Sequence, residues 1–221
     1  YRVCSNMYRT TKREALCLGL PLEARTGMDL VRAWREKIKH GIRPIPPITV
    51  EEGPVMENIH TGEEIDLYEF PVPKWHEHDG GRYIGTGNIV VTRDPDDGWV
   101  NLGTYRVQIH KKDIATIYMS PGRHGGMMRQ KYWAKGVGCP AVVSIGGNQA
   151  LVAFSNIELP WKAPEYDYAG WLIGKPVEVI EGPTTGLPIP ATAEIAIEGE
   201  MVPPEVDSIK EGPFGEWPGY Y

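Results

Sequence analysis

Residues 88–110 read Asn-Ile-Val-Val-Thr-Arg-Asp-Pro-Asp-Asp-Gly-Trp-Val-Asn-Leu-Gly-Thr-Tyr-Arg-Val-Gln-Ile-His. The stretch 88–94, with the apolar Ile89-Val-Val91 at its centre, is typical of a strand, and Pro95-Asp-Asp-Gly98 is a strong turn signal. We therefore predict a hairpin whose second arm is one long strand over 99–110. A further turn at 111–113 leads into another strand-like run.

The rest of the chain extends this pattern in both directions. Thr26 and Asp29 have the spacing of a capping box, and an amphipathic helix is predicted from there to Gly41. Successive short strands with few helices favour an antiparallel barrel or sandwich, preceded by a helical or mixed region with a boundary near residue 70. Further strands are predicted at 114–119, 141–145, 151–154, 177–180 and 193–198, and helices at about 125–135 and 165–173.

Composition narrows the class of protein. The net charge of −6 argues against a nucleic-acid partner, which usually calls for a basic face. No apolar run is long enough to cross a bilayer, so no membrane insertion is expected. Three cysteines (Cys4, Cys17 and Cys139) at unrelated spacings fit a reducing, cytoplasmic setting. The chain starts without Met and stops just after an acidic loop, so we expect it to be a piece of a longer polypeptide.

That acidic loop is Glu211-Gly-Pro-Phe-Gly-Glu216. Pro213 and the two glycines exclude a helix, so the two carboxylates are expected on a tight turn. Paired acids in different environments can divide into a fixed anion and a proton donor. The alternative is an ordinary acidic surface turn.

A second group of residues has the chemistry of a cation site. Asn101 and Arg106 would point to opposite faces of a regular strand, but a kink or bulge at Gly103 would bring both to one site. His124 and Glu165 each open a predicted helix. An amide, an imidazole and a carboxylate together suit Mn²⁺ or Mg²⁺ bridging a phosphate, whereas each residue alone has an ordinary structural explanation.

Two other motifs are weaker. Gly85-Thr-Gly87 leads into a strand rather than a helix, so it is assigned to a turn and not to phosphate binding. His76-Glu-His78 could ligate a metal, but it lies in a proline-bounded connection where such side chains are usually solvated.

Five motifs, in this order along the chain, resemble the UbiD family of reversible decarboxylases, which use prenylated FMN. The motifs are Asp79-Gly-Gly-Arg-Tyr-Ile-Gly-Thr-Gly-Asn88, Trp99-Val-Asn-Leu-Gly-Thr-Tyr-Arg106, Ser120-Pro-Gly-Arg-His-Gly125, Pro190-Ala-Thr-Ala-Glu194 and the acidic loop. The first 70 residues resemble the family's N-terminal domain more loosely. The resemblance implies an α+β fold, with a partial α/β region over 1–70 and a flavin-reductase-like split β-barrel over 71–221.

The resemblance also implies roles for individual residues. Asn101, His124 and Glu165 would hold the divalent ion at the flavin phosphate, and Arg106, Glu211 and Glu216 would form the catalytic network. The neighbouring K⁺ site would be lined, largely through carbonyls, by Leu102, Phe154, Ser155 and Ile157. The cofactor-binding set implied by the resemblance is Asn101, Leu102, Gly103, Thr104, Tyr105, Arg106, Arg123, His124 and Glu165.

The function implied by the resemblance is non-oxidative decarboxylation of an aromatic, heteroaromatic or α,β-unsaturated acid. Arg106 would orient the substrate carboxylate and keep Glu211 ionised. Glu216 would donate the proton that replaces CO₂, from a desolvated position beside Trp217. Two alternatives stay open: an FMN-binding redox barrel, and a non-catalytic flavin-binding fragment or subunit.

The family resemblance further implies a flavin prenyltransferase as supplier of the cofactor and a homo-oligomer for the full-length protein. Known members carry a C-terminal domain that covers the substrate, and no counterpart is found before Tyr221. We therefore expect this chain by itself to be a poor or inactive decarboxylase.

Overall fold

The computed structural model describes residues 7–220, which form a mixed α/β structure with several small sheets. Residues 7–220 contain the α-helices α1 (Thr11–Cys17), α2 (Gly27–Ile38), α3 (His124–Ala134), α4 (Gln149–Asn156) and α5 (Glu165–Ile173). The same range contains the strands β1 (Ile48–Thr49), β2 (Arg82–Gly85), β3 (Ile89–Arg93), β4 (Val100–Gly103), β5 (Val107–Lys111), β6 (Ile114–Ile117), β7 (Cys139–Ile145), β8 (Glu178–Glu181), β9 (Pro188–Pro190), β10 (Ile195–Met201), β11 (Gly215–Glu216) and β12 (Gly219–Tyr220). Short 3-10 helices occupy Pro54–Met56, Gly62–Glu64 and Leu67–Glu69.

The predicted capping box starts α2. The Thr26 side chain accepts the Asp29 N–H, and the Asp29 carboxylate accepts the Thr26 N–H at 3.0 Å. Gly41, where the helical pattern was expected to end, has a φ of +83°, which glycine adopts without strain. The predictions of helices α3 and α5 are also confirmed.

A four-stranded antiparallel sheet has the strand order β10-β7-β3-β4, and the end of β4 forms part of the wall of the candidate active site. Strand β3 is buried on both faces from Ile89 to Thr92, because Ile89 and Val91 pack against α4 and α5, while Val90 packs against Val107 of β5. Its hairpin with β4 pairs Val91 with Leu102 and Thr92 with Asn101. The hairpin predicted around Pro95–Gly98 is confirmed.

The prediction of one unbroken strand over 99–110 is wrong. The chain leaves the ladder after Gly103 and re-enters a different sheet at Val107. The Thr104 N–H donates to the Ser155 carbonyl at 3.1 Å instead of to a strand. The Tyr105 ring packs where a Cβ on Gly103 would stand. The break thus follows Gly103, the residue at which a kink or bulge would bring Asn101 and Arg106 to one site.

The predicted strand at 151–154 is also wrong, because these residues lie in α4. The Asn148 side chain accepts the Ala150 N–H at 2.9 Å and caps that helix. The buried residues of α4 are Ala150, Leu151, Val152, Phe154 and Ser155, and the pairs 150/154 and 151/155 have the i, i+4 spacing of a buried helix face.

The third sheet joins the beginning of the chain to its later part. Strand β1 pairs with β8 in parallel, and β8 pairs with β9 in the antiparallel sense, so the sheets are not all antiparallel. The Ile45 N–H also donates to the Asp167 carbonyl in α5 at 2.9 Å. The division of the chain near residue 70 stays a prediction.

The main core lies between the four-stranded sheet and helices α4 and α5. It fixes the ends of these elements, where the site residues are found. Its fully buried members include Ile89, Val91, Leu102, Val142, Leu151, Phe154, Tyr166, Leu187 and Ile189. Full burial of a side chain of this size stabilises the fold by about 1.5–3 kcal/mol.

Among residues 7–220, no helix is long and apolar enough to cross a bilayer. Cys139 is buried and Cys17 is partly buried, and both are free thiols. Cys4 lies outside the described residues.

Candidate active site

A cavity of about 290 Å³ opens where several element ends meet. These are the end of β4 with the link to β5, the start of α3, the end of α4, the start of α5 and the acidic loop, residues 211–216. The lining residues are Thr86, Asn101, Leu102, Gly103, Thr104, Tyr105, Arg106, Tyr118, Ser120, Arg123, His124, Ser155, Asn156, Ile157, Glu158, Glu165, Phe214 and Glu216.

Arg106 joins both acids of the acidic loop. Its Nε and Nη2 donate to Glu211 Oε1 and Oε2 at 2.8 and 3.0 Å, which is a bidentate pair, and its Nη1 donates to Glu216 Oε1 at 3.1 Å. Burial opposes the charge on Arg106, but the hydrogen bond and charge of Glu211 outweigh it and raise the pKa of the guanidinium. The Tyr118 ring stacks on the guanidinium, with its centroid 4.2 Å away. Arg106 is therefore held in one orientation.

Glu211 lies behind Arg106 rather than on the cavity wall. The Tyr83 hydroxyl donates to Glu211 Oε1 at 2.8 Å. Burial and the neighbouring Glu211 carboxylate raise the pKa of Tyr83 far above its ordinary value, so the tyrosine stays a donor. The Gln108 Oε1 atom, 3.2 Å from the same hydroxyl, accepts the Gly212 N–H at 2.8 Å.

The surroundings expected for Glu216 are not seen. The Trp217 side chain, expected to provide an apolar neighbour, is fully exposed. The Glu216 side chain is 49% exposed, whereas that of Glu211 is only 12% exposed. What distinguishes the two acids is therefore access: Glu216 faces the cavity with one contact to Arg106, and Glu211 is fixed behind it.

Asn101, His124 and Glu165 all line the cavity. Burial raises the pKa of Glu165 to about 7, although the Leu102 N–H, donated to Glu165 Oε2 at 3.1 Å, opposes the shift. The Asn101 side chain is buried, and its Nδ2 makes no well-aligned hydrogen bond within residues 7–220, although it lies close enough to the Tyr105 hydroxyl to oppose the rise in the pKa of that phenol. A buried carboxylate and an unpaired buried amide are costly unless a ligand satisfies them.

The His124 imidazole is packed between two indole rings. Its centroid lies 5.3 Å from that of Trp99 and 5.1 Å from that of Trp161. Burial is the main reason that its pKa is lowered, with Glu158 acting in the opposite direction, so the ring is neutral near pH 7 and can act as a ligand.

Of the four residues suggested for K⁺, not all lie at the cavity wall. Leu102, Ser155 and Ile157 line the cavity, whereas Phe154 is a core residue outside its wall. The Ser155 carbonyl already accepts the Thr104 N–H, and the two hydroxyls lie 2.8 Å apart.

Arg123 is the second guanidinium at the cavity. Its Nη1 donates to Glu158 Oε2 at 2.9 Å, and both side chains are about half exposed. The sequence reasoning gave no role to Glu158, nor to Tyr83, Gln108, Tyr118 or Phe214. None of them has a pattern that singles it out, because each acts only through neighbours distant in sequence. Of the five, Tyr83 and Phe214 lie within the motifs that resemble the family.

The two weaker motifs form no second site. Thr86 and Gly87 lie in the link between β2 and β3, as expected of a turn. The His76 ring lies 3.3 Å from the Asp79 carboxylate. Residues 7–220 contain no cluster of three or more His, Cys, Asp or Glu side chains that could hold a metal.

Comparison with known proteins places the whole site within one family model. Residues 48–221 match UbiD, the 3-octaprenyl-4-hydroxybenzoate carboxy-lyase Rift-related domain. The pyrrole-2-carboxylic acid decarboxylase of Pseudomonas aeruginosa is 38% identical over 212 residues, which are 96% of this chain and 42% of the relative. The chain therefore spans less than half the length of this relative.

Solved structures show the same fold. An evolved dimeric form of the UbiD-class enzyme HmfF from Pelotomaculum thermopropionicum, in complex with prFMN, is 30% identical with a TM-score of 0.81, covering 95% of this chain and 47% of that one. The closed form of the vanillic acid decarboxylase of Sedimentibacter hydroxybenzoicus is 29% identical with a TM-score of 0.84, covering 95% and 44%.

Proposed function

This chain belongs to the UbiD family, and from that premise we propose that it carries the cofactor site and the proton-transfer residues of a decarboxylase that uses prenylated FMN. The reaction is the non-oxidative, reversible decarboxylation of an aromatic, heteroaromatic or α,β-unsaturated acid. The observation that carries the proposal is the arrangement of Arg106, which binds a buried carboxylate and a cavity-facing carboxylate at the same time.

The residues at the cavity fit the flavin phosphate and its cations. Asn101, His124 and Glu165 provide oxygen and imidazole ligands for Mn²⁺ or Mg²⁺, and the unpaired Asn101 amide and the buried Glu165 carboxyl support a ligand here. Leu102, Ser155 and Ile157 are proposed for K⁺, with Phe154 contributing at most its carbonyl. The link Gly103–Arg106 and Arg123 would contact the cofactor.

The flavin supplies the electron acceptance that decarboxylation requires, and the protein supplies orientation and one proton. Arg106 orients the substrate carboxylate while Glu211 keeps its guanidinium aligned through the bidentate pair. Glu216, which faces the cavity, donates the proton to the carbon that loses CO₂. Tyr83 fixes the position of the Glu211 carboxylate by donating a hydrogen bond to it.

Finer features of the whole protein follow from the same premise. The four-stranded sheet β10-β7-β3-β4 and the sheet β2-β5-β6 would be the two parts of a split β-barrel, after an α/β region that ends near residue 70. A flavin prenyltransferase would supply the cofactor. The complete protein would be a cytoplasmic homo-oligomer.

Reconstitution of the complete protein, rather than of this chain alone, with prenylated FMN, Mn²⁺ and K⁺ tests the proposal directly. CO₂ release is measured from a panel that includes pyrrole-2-carboxylic, vanillic and cinnamic acids. We expect turnover of at least one acid, and a loss of about 10²-fold or more in Arg106→Ala, because the carboxylate is no longer oriented. Arg43→Ala, which alters an exposed guanidinium away from the cavity, should behave like the wild type.

The same experiment separates the alternatives. A redox barrel would bind unmodified FMN and oxidise NADH or another reductant without releasing CO₂. A non-catalytic flavin-binding subunit would bind the cofactor and release no CO₂ from any acid in the panel. Either result would overturn the proposed activity.

A further inference from the structure

The segment Asp79-Gly80-Gly81 lies directly under the acidic loop, and the proposed function gives it no role. The Asp79 side chain is 0% exposed. Its Oδ1 accepts the Gly215 N–H at 2.8 Å, and its Oδ2 accepts the backbone N–H of His76 at 2.8 Å. Burial would raise the pKa of Asp79, but the hydrogen bonds from Gly215 and His76 lower it below its ordinary value, so the carboxylate is charged at neutral pH.

The backbone of Gly80 makes a second contact with the loop. Its N–H donates to the Pro213 carbonyl at 2.7 Å. A Cβ at residue 80 would overlap the Gly212 carbonyl, so only glycine lets the two backbones approach this closely. From the other side, the Gln108 Oε1 accepts the Gly212 N–H. The loop backbone is therefore held at 212, 213 and 215.

The loop has little regular structure to hold it otherwise. Its ladder is the two-residue pairing of β11 with β12, and Pro213 has no N–H to donate. The position of Glu216 relative to Arg106 therefore depends on the backbone contacts below the loop. A displacement of about 1 Å in a catalytic group can cost about 10²-fold in rate.

We propose that Asp79 and Gly80 form a clasp that sets the position of the acidic loop, so that Arg106 can bind Glu211 and Glu216 together. Asp79 is thus a positioning residue. Its effect on kcat rests on the proposed function, whereas its effect on the position of the acidic loop does not.

Amide hydrogen exchange, followed by NMR in the flavin-free chain, tests the clasp without using activity. Asp79→Ala removes both acceptors, and the Gly215 amide should exchange roughly 10- to 100-fold faster, since a hydrogen bond to a charged group is lost. Amides in α3 and β7 should change by less than about twofold. Asp79→Asn keeps one acceptor oxygen and should restore most of the protection of Gly215.

One further variant keeps the test decisive if Asp79→Ala unfolds. Gly80→Ala separates the backbones without changing charge, and it should speed exchange across 212–216 by at least about tenfold. Its matched control is Gly199→Ala, where a Cβ has no atom within 4 Å. The control for the carboxylate is Asp113→Asn in the exposed β5–β6 turn.

The activity arm uses the protein loaded with prenylated FMN. Asp79→Ala should lower kcat by about 10²-fold while the affinity for FMN changes by less than about twofold, because the acidic loop moves whereas the part of the cavity that holds the cofactor does not. Asp79→Asn should recover part of kcat.

The two proposals fail in different ways. If the wild type releases no CO₂ but Gly215 loses protection in Asp79→Ala, the proposed function fails and the clasp stands. If Gly215 and the loop keep their protection in both Asp79→Ala and Gly80→Ala, the clasp is overturned whatever the activity shows.

Discussion

Arg106 is the residue on which the site depends, because one side chain binds two acids that lie five positions apart. The Arg106–Glu211 pair is bidentate and mostly buried, with 9% and 12% of the side chains exposed. Removing one partner of such a pair leaves an uncompensated charge and costs about 3–5 kcal/mol. The Glu216 contact is single and half exposed, and it contributes far less to stability. Glu211 therefore contributes more to the stability of the fold than Glu216 does, and the two acids also differ in role.

Glu165 gives the flavin-free and metal-free chain a specific pH dependence. Its folded pKa of about 7 lies above the unfolded value of about 4.3, so its contribution to stability is complete below about pH 4 and is lost as the pH rises through about 7. Glu165→Gln keeps an oxygen acceptor for Leu102 and removes the charge. We expect it to raise the free energy of unfolding at pH 8 by about 1–3 kcal/mol, with little change at pH 4.

Urea denaturation at the two pH values measures this difference, and Glu205→Gln, an exposed acid, is the control. An equal effect of Glu165→Gln at pH 4 and pH 8 would show that burial does not perturb this carboxyl.

Glu158 should compete with the flavin phosphate for Arg123. The exposed Arg123–Glu158 pair contributes only about 0–1 kcal/mol to stability, so a phosphate can displace Glu158 at little cost. Glu158→Gln removes the competing charge, and FMN should bind about 3- to 10-fold tighter. Riboflavin has no phosphate, and its affinity should not change.

Flavin fluorescence titration with both ligands makes the comparison. The same gain for riboflavin as for FMN would mean that Glu158 does not act through the phosphate.

At the level of single elements, the sequence was sufficient where a local signal is present. The Thr26–Asp29 capping box predicted the start of α2, and the turn Pro95–Gly98 predicted the hairpin. It was not sufficient for 151–154, because a short apolar run fits a buried helix as well as a strand. The signal that was missed is Asn148, which caps α4.

The break after β4 could not be predicted for a different reason. Tyr105 packs against Gly103, and Thr104 donates to Ser155, a residue about fifty positions later. Alternation of side chains along 99–110 carries no information about such a distant partner. The break matters because it turns both Asn101 and Arg106 toward the cavity.

Gly103→Ala tests this break. The new Cβ would overlap the Tyr105 ring, whose hydroxyl accepts the Gly125 N–H at 3.3 Å at the start of α3. We expect a loss of about 1–3 kcal/mol in the free energy of unfolding and weaker FMN binding, because the ring must move. Urea denaturation and flavin titration provide the two measurements.

Gly199→Ala in β10 is the matched strand control. If Gly103→Ala were no more destabilising than Gly199→Ala, close packing of Tyr105 would not explain the break.

At the scale of the whole molecule, the site is assembled from four separate parts of the chain. These are 101–106, 118–124, 155–165 and 211–216, and they meet at one cavity that Thr86 also lines. The residue types suggested the chemistry, and the resemblance to a family suggested which of them belong together. Periodicity and spacing could not show that they meet, because loops far apart in sequence are joined only by tertiary packing. The support beneath the acidic loop, from Asp79 and Gln108, was invisible for the same reason.

The measurement that tests the central claim most directly is exchange of the product's proton with solvent deuterium. The protein loaded with prenylated FMN is incubated in D₂O with the decarboxylated product of its best acid, and deuterium in the product is followed by NMR. Glu216→Gln should lose both exchange and decarboxylation by at least about 10²-fold, because the proton donor is gone. Glu211→Gln should mainly disturb Arg106 and keep measurable exchange. Near-normal exchange in Glu216→Gln, with loss in Glu211→Gln, would contradict the account.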